Sequence, residues 1–297
     1  VSGGAPKTLS GHDSEITSVA FSPDGQKVLT GSFDKTAKLW DLSGGAPQTF
    51  SGHFSVVSSV AFSPDGQKVL TGSWDGATKL WPVAGGNPQT FKGHAFQVRA
   101  VAFSPDGNKI GTGGGDGTVI WWDLSGRDSL SFSGHAVIIS SIAFSPDGQK
   151  LLTGSFDKTA GMWSLSGQEM QRFRGHSFPI SSVAWSPQGR QILAGSTDGM
   201  AKLWHLPGRD VQTFRGHDTL VWSVAFSPDG QQVLTASADS TAKLWNLSGR
   251  ETQTFKGHRS TVYSAAFSPD GRQVLTASAD STAKLWNLSG REIQTFK

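Results

Sequence analysis

GHDSEITSVAFSPDGQKVLTGSFDKTAKLWDLSGGAPQTFS, residues 11–51, is the stretch whose reading decides the fold, because the chain goes on to repeat it. Gly-His pairs recur every 41 residues at Gly11-His12, Gly52-His53, Gly93-His94, Gly134-His135, Gly175-His176, Gly216-His217 and Gly257-His258. A strict internal period overrides chain length as a guide to domain count. Within the repeat, Ile16 to Ser22 alternates apolar and polar residues, the period of a half-buried strand. Pro23-Asp24-Gly25 then supplies turn chemistry, with proline presetting φ and glycine accepting a positive one. Lys27 to Ser32, Thr36 to Leu42 and Gln48 to Phe50 read as three further strands. No stretch sustains a helical period. A lone four-stranded sheet leaves its faces uncovered, so neighbouring copies must supply the core. Radial closure of seven such sheets leaves only short edges. The expectation is an all-β, seven-bladed β-propeller with four antiparallel strands per blade, one domain over residues 1–297.

Residues 1–10 (VSGGAPKTLS) read against 42–51 (LSGGAPQTFS) as an extra copy of the outer strand. Both ends of the chain therefore offer a strand for the same edge. Either one is displaced, or the segment was cut from a longer array, the reading favoured by the loop retained in residues 1–6. A start at Val1 without an initiator Met agrees with an excised piece.

The absence of cysteine excludes disulfides, thiolate metal sites and cysteine nucleophiles. No apolar run is long enough for a membrane span and no leader opens the chain, so a cytoplasmic protein without a membrane role is expected. A formal charge of +3, from 26 basic and 23 acidic residues, is spread over repeat positions and forms no concentrated patch. Nucleic acid is therefore not an expected partner.

In every copy an Asp stands 22 positions after the His, and a Trp six further on. His12, Asp34 and Trp40 begin the series, followed by His53, Asp75, Trp81; His94, Asp116, Trp122; His135, Asp157, Trp163; His176, Asp198, Trp204; His217, Asp239, Trp245; and His258, Asp280, Trp286. This pattern, over essentially the whole chain, resembles the WD-repeat β-propeller family. The literal Trp-Asp pair survives only at Trp40-Asp41 and Trp122-Asp123. The resemblance implies that a second-strand hydroxyl joins His, Asp and Trp in a buried hydrogen-bond chain, here Thr30, Thr71, Thr112, Thr153, Thr235 and Thr276. Ala194 takes that place in the fifth copy, which makes blade five the one expected to open most easily. Near-identical tandem copies are also similar to the WD-repeat arrays of bacterial, especially cyanobacterial or actinobacterial, multidomain signalling proteins.

Seven of the eight histidines occupy this bracing position, so no metal or cofactor is expected. Gly113 to Gly117 lacks the Lys-Ser/Thr ending and the helix of a phosphate loop. No convergent asymmetric set of acid, base and nucleophile can be assembled, and no catalytic residue is assigned. Copies six and seven differ at seven of 41 positions, four of them just after Gly-His. The resemblance places that rim on the narrow face of the propeller, the family's usual partner surface. The residues expected to project there include Phe33, Trp74, Arg99, Phe156, Trp222 and Tyr263, an exposed aromatic set with the composition of a binding hot spot. The reading is a non-catalytic scaffold or sensor that binds a protein or peptide. Rings packed together merely to plug the channel, and a carbohydrate-binding face, are the alternatives.

Overall fold

Each alternating run becomes the innermost strand of a four-stranded antiparallel sheet. In the first sheet the strands are Ile16–Phe21, Lys27–Ser32, Ala37–Asp41 and Gln48–Phe50, in that spatial order. The computed structural model describes residues 7–124, 129–207 and 211–297, and the loop expected in residues 1–6 lies outside them. The inner strands Ile16–Phe21, Val57–Phe62, Val98–Phe103, Ile139–Phe144, Ile180–Trp185, Val221–Phe226 and Val262–Phe267 stand side by side, the last against the first. Seven sheets thus close a ring, and the chain is a seven-bladed β-propeller.

The core lies between blades because neither face of a single sheet can be left wet. At the closing seam, Ile16, Val19, Val28 and Trp40 of blade one pack against Leu275, Ala277, Ala283, Leu285 and Phe296 of blade seven. Burial of such side chains is the main source of stability, roughly 25 cal/mol per Å² of apolar surface. The Pro-Asp-Gly turns behave as read. Gly25 takes φ 69°, and Asp24 Oδ1 accepts from the Gln26 amide at 2.9 Å and from the Ser22 hydroxyl at 2.5 Å.

Neither terminal strand is displaced. Glu292–Phe296 completes blade seven antiparallel to Ala283–Asn287, and Lys7–Leu9 adds parallel to it as a fifth, outermost strand. The Lys297 carbonyl accepts from the His12 amide at 3.0 Å, tying the two ends together.

A buried hydrogen-bond brace is present in five blades. In blade one Trp40 Nε1 donates to Thr30 Oγ1 at 2.8 Å, Thr30 Oγ1 meets His12 Nε2 at 2.6 Å, and His12 Nδ1 meets Asp34 at 2.6 Å. An ionised carboxylate can only accept, so the bond to Asp34 places an imidazole proton on Nδ1. The same links join Trp81, Thr71, His53 and Asp75; Trp163, Thr153, His135 and Asp157; Trp245, Thr235, His217 and Asp239; and Trp286, Thr276, His258 and Asp280. Asp34 also accepts from the Thr36 amide and hydroxyl, so the brace pins the tight turn as well.

Two blades depart. In blade five His176 keeps Asp198 at 2.8 Å, but its Nε2 faces the Ala194 carbonyl at 3.3 Å, and no hydroxyl stands between it and Trp204. Blade three corrects the sequence expectation. Thr112 still meets His94 Nε2 at 2.8 Å, and His94 meets Asp116 at 3.2 Å, yet Trp122 Nε1 is buried without a hydrogen-bond partner. The strand carrying Trp122 has Ile120 where other blades carry an unbranched lysine or Gly161. A β-carbon on Gly93 would lie 2.9 Å from Ile120 Cδ1 and 3.1 Å from the edge of the indole. Ile120 therefore stands beside the ring whose N–H misses the hydroxyl.

Titration of the brace has a definite sign. Burial holds His53 and His135 below the ordinary histidine value of 6.5, against the opposing pull of Asp75 and Asp157. Burial would by itself raise Asp34, Asp239 and Asp280, but bonds from their histidines and from Thr36, Thr241 and Thr282 outweigh it and hold all three below the usual carboxylate range. In both classes the unfolded chain binds protons first as pH falls. The histidine contribution is therefore present above about pH 6.5 and lost as pH drops below it; the carboxylate contribution follows below about pH 4. Urea midpoints are expected to fall from pH 7.5 to pH 5, and again towards pH 3. A midpoint unchanged between pH 7.5 and pH 5 would contradict the histidine assignment.

Candidate functional site

The face from which the inner strands start is built on two repeating contacts. The amide of the residue before each turn Asp donates to the carbonyl three residues after the His: Phe33 to Glu15, Trp74 to Val56 and Phe156 to Ile138, all at 3.0 Å. This bond fixes the side chain of the first residue of each pair at the channel mouth. The fifth residue after the His sits at a register irregularity of the inner strand. Where it carries a hydroxyl, it donates across the seam to the next blade: Thr17 to the Val57 carbonyl at 2.5 Å, Ser58 to Val98, Ser140 to Ile180 and Ser181 to Val221 at 2.6 Å.

In blades three, six and seven that position holds Arg99, Trp222 and Tyr263 instead. These three copies have exchanged an inter-blade hydrogen bond for a large side chain at the mouth. The exchange costs stability, since a net intramolecular hydrogen bond contributes about 0.5–1.5 kcal/mol.

All six residues selected from the sequence line one cavity of ≈ 340 Å³, together with Thr17, Ser58, Ser140 and Ser181. The rings pair along its wall. Phe33 meets Trp74 edge-on at 5.5 Å, and Trp222 meets Tyr263 edge-on at 6.0 Å. The Arg99 guanidinium lies 4.8 Å over the Trp74 ring, and Tyr263 donates to Glu15 at 3.2 Å. The expectation of fully exposed rings is corrected: each of the six is half-buried, because each stands on the wall of a recess rather than on a flat rim. Burial and the nearby Glu15 carboxylate both raise Tyr263 above the usual phenol value.

Sequence reasoning missed the apolar residues farthest out on the same loops. Phe54, Phe96 and Phe178 are 86%, 66% and 56% exposed. They lie one or two positions after the His, where other copies carry residues such as Asp13, Ser14 and Ser55, and that contrast was a readable signal. Phe96 and Gln97 line a groove of ≈ 400 Å³ with Trp74, Asp75 and Lys92. Trp74 belongs to both the groove and the mouth cavity, so the two recesses adjoin.

Comparison with known proteins agrees with this architecture. The family model described as IFT122 first beta-propeller matches residues 84–297, and the WD domain, G-beta repeat matches residues 3–41 and 44–82. The chain belongs to the WD-repeat β-propeller family. Propellers built from these repeats are in general non-catalytic scaffolds for protein–protein interaction. A stretch of 35 residues is 63% identical to the vegetative incompatibility protein HET-E-1 of Podospora anserina. That stretch covers 12% of this chain and 3% of the fungal protein, so the likeness concerns a single WD repeat. No helix among the described residues is long and apolar enough to cross a membrane.

Proposed function

We propose that this propeller is a non-catalytic module that binds a protein or peptide segment across its narrow face, with the mouth cavity as anchor and the Trp74 groove as its extension. One observation carries the reading. The side chains that break the repeat, drawn from six blades, converge on one recess, and three of them stand where other blades keep a seam-stabilising hydroxyl. Half-buried aromatics beside an arginine are the residue types that anchor interfaces. The exposed Phe54, Phe96 and Phe178 supply further apolar surface on the same face.

A cytoplasmic scaffold or sensor within a larger signalling protein of the bacterial array type is the setting we attach to this reading. Carbohydrate stacking is less well served, because sugars need an open aromatic face and the Trp74 ring is covered by Arg99 and abutted by Phe33.

The test is recovery of partners by wild type and by a Phe33→Ala, Trp74→Ala, Phe156→Ala triple variant. These side chains leave a recess rather than the inter-blade core, so the variant is expected to fold and to lose its partners. Equal recovery from both proteins would sink the assignment of this face.

A further inference from the structure

Two residues that line the narrow-face cavity carry donors without acceptors. Among the described residues, Trp74 Nε1 and Arg99 Nε are buried and have no hydrogen-bond partner, and both belong to the wall of the same recess. Buried donors of this kind are rare, and each costs about 1–3 kcal/mol, more when charged. Neither is forced by the fold, since the repeat places Thr17, Ser58, Ser140 or Ser181 where Arg99 stands. No carboxylate of the described residues forms an ion pair with Arg99, and burial alone lowers its pKa. The hydroxyls that line the cavity with it are already engaged with backbone carbonyls.

We infer that the mouth cavity takes a side-chain or terminal carboxylate of an acidic peptide, held by the Arg99 guanidinium. The inference rests on the narrow-face reading above and names the chemistry of its partner. An edge of a guanidinium presents parallel N–H donors that match the two oxygens of a carboxylate. The stacked Trp74 ring holds the guanidinium in place. A single cation balances a single negative charge. A phosphate dianion would need a second cation, and the cavity wall offers none. The adjoining groove carries the exposed Phe96, which suits an apolar residue next to the acidic anchor.

The experiment selects a random-peptide phage library on the wild-type propeller and measures synthetic versions of the recovered peptides by fluorescence anisotropy. Recovered sequences are expected to be enriched in Asp or Glu beside an apolar residue. Changing that acid to its amide in the peptide should weaken binding on the order of thirtyfold or more, as for other desolvated charge pairs. Arg99→Gln should do the same, and the two changes together should cost little more than either. The peptide change leaves the protein untouched, so the result does not depend on how the variant folds.

Recovered peptides without acidic enrichment, still lost on Trp74→Ala, would overturn the carboxylate assignment and leave the narrow-face reading intact. A phosphoserine peptide that binds more tightly than its glutamate counterpart overturns it as well. Failure to recover any peptide removes the narrow-face reading and this inference with it.

Discussion

Thr235→Ala is expected to lower the unfolding free energy by about 2–4 kcal/mol, with little change in the face that binds partners. The hydroxyl removed is the junction of a buried brace: it accepts from Trp245 Nε1 at 2.9 Å and meets His217 Nε2 at 2.7 Å. Its loss strands two buried polar groups at once, each costing about 1–3 kcal/mol when left unpaired. The methyl group deleted with it adds a small cavity beside the Trp245 ring. The reverse experiment already exists in blade five. Ala194→Thr should place a hydroxyl between His176 and Trp204 in a frame that five other blades show to accommodate one, and should stabilise by about 1–2 kcal/mol. Urea denaturation of both variants decides the matter. A Thr235→Ala midpoint equal to wild type would mean that the brace follows the fold without supporting it.

Hydrogen exchange is expected to find the weakest part of the ring at blade three and its seam with blade four, rather than at Ala194. Four bonds that other blades make are missing there. Trp122 has no acceptor, and Arg99 stands where a seam hydroxyl would be. Ala100 replaces the serine that elsewhere accepts an amide of the next blade, as Ser18 accepts from Val60 at 3.2 Å and Ser141 from Val183 at 3.0 Å. Gly114 replaces the serine that receives the turn-Asp amide, as Ser32 does at 3.1 Å from Asp34. Blade five keeps Ser181, Ser182 and Ser196 in these roles; its own losses are local, with Ala194 for the brace Thr, Met200 for the Thr that donates to the turn Asp in five other blades, and Gln188 for the Asp that caps the turn between the first two strands.

At about 1 kcal/mol per bond, the two seam bonds that blade three lacks and blade five keeps amount to a ratio of about thirty in the opening of that seam. Amides of Val98–Phe103 and Lys109–Gly114 should therefore exchange faster than those of Ile180–Trp185 and Gln191–Ser196. Arg99→Ser with Ala100→Ser should slow them by restoring both seam bonds, and should also raise the thermal midpoint. Blade five exchanging first would show that the brace and turn bonds lost at Ala194, Met200 and Gln188 outweigh the seam.

Much of this was legible in the chain, for a physical reason in each case. His12, Asp34 and Trp40 recur at fixed spacing because one local geometry must be rebuilt seven times, so seven braces, four strands per blade and the turns could be read directly. The six residues of the mouth cavity were legible as departures from that background. Their half-burial was not, because exposure depends on what stands across the recess. Trp122 shows the same limit: its spacing from His94 is regular, but whether its N–H reaches Thr112 depends on how the ring packs. Ala100 and Gly114 were visible as odd residues, yet their weight emerges only when the bonds across the seam are counted. Phe54, Phe96 and Phe178 could have been noticed as apolar residues in a polar loop.

Composition and period by themselves determined the all-β repeat, the number of blades and the identity of the buried brace, since these follow from local alternation, turn chemistry and the repeated need to satisfy the same polar groups. Tertiary structure alone decided how the two ends meet, with Lys7–Leu9 parallel outside Glu292–Phe296. It also decided which braces are complete, and that Trp74 and Arg99 share one recess with their donors unpaired. These features arise between blades, where residues about 40 positions apart come into contact through ring closure, and no local pattern encodes the distance at which they meet.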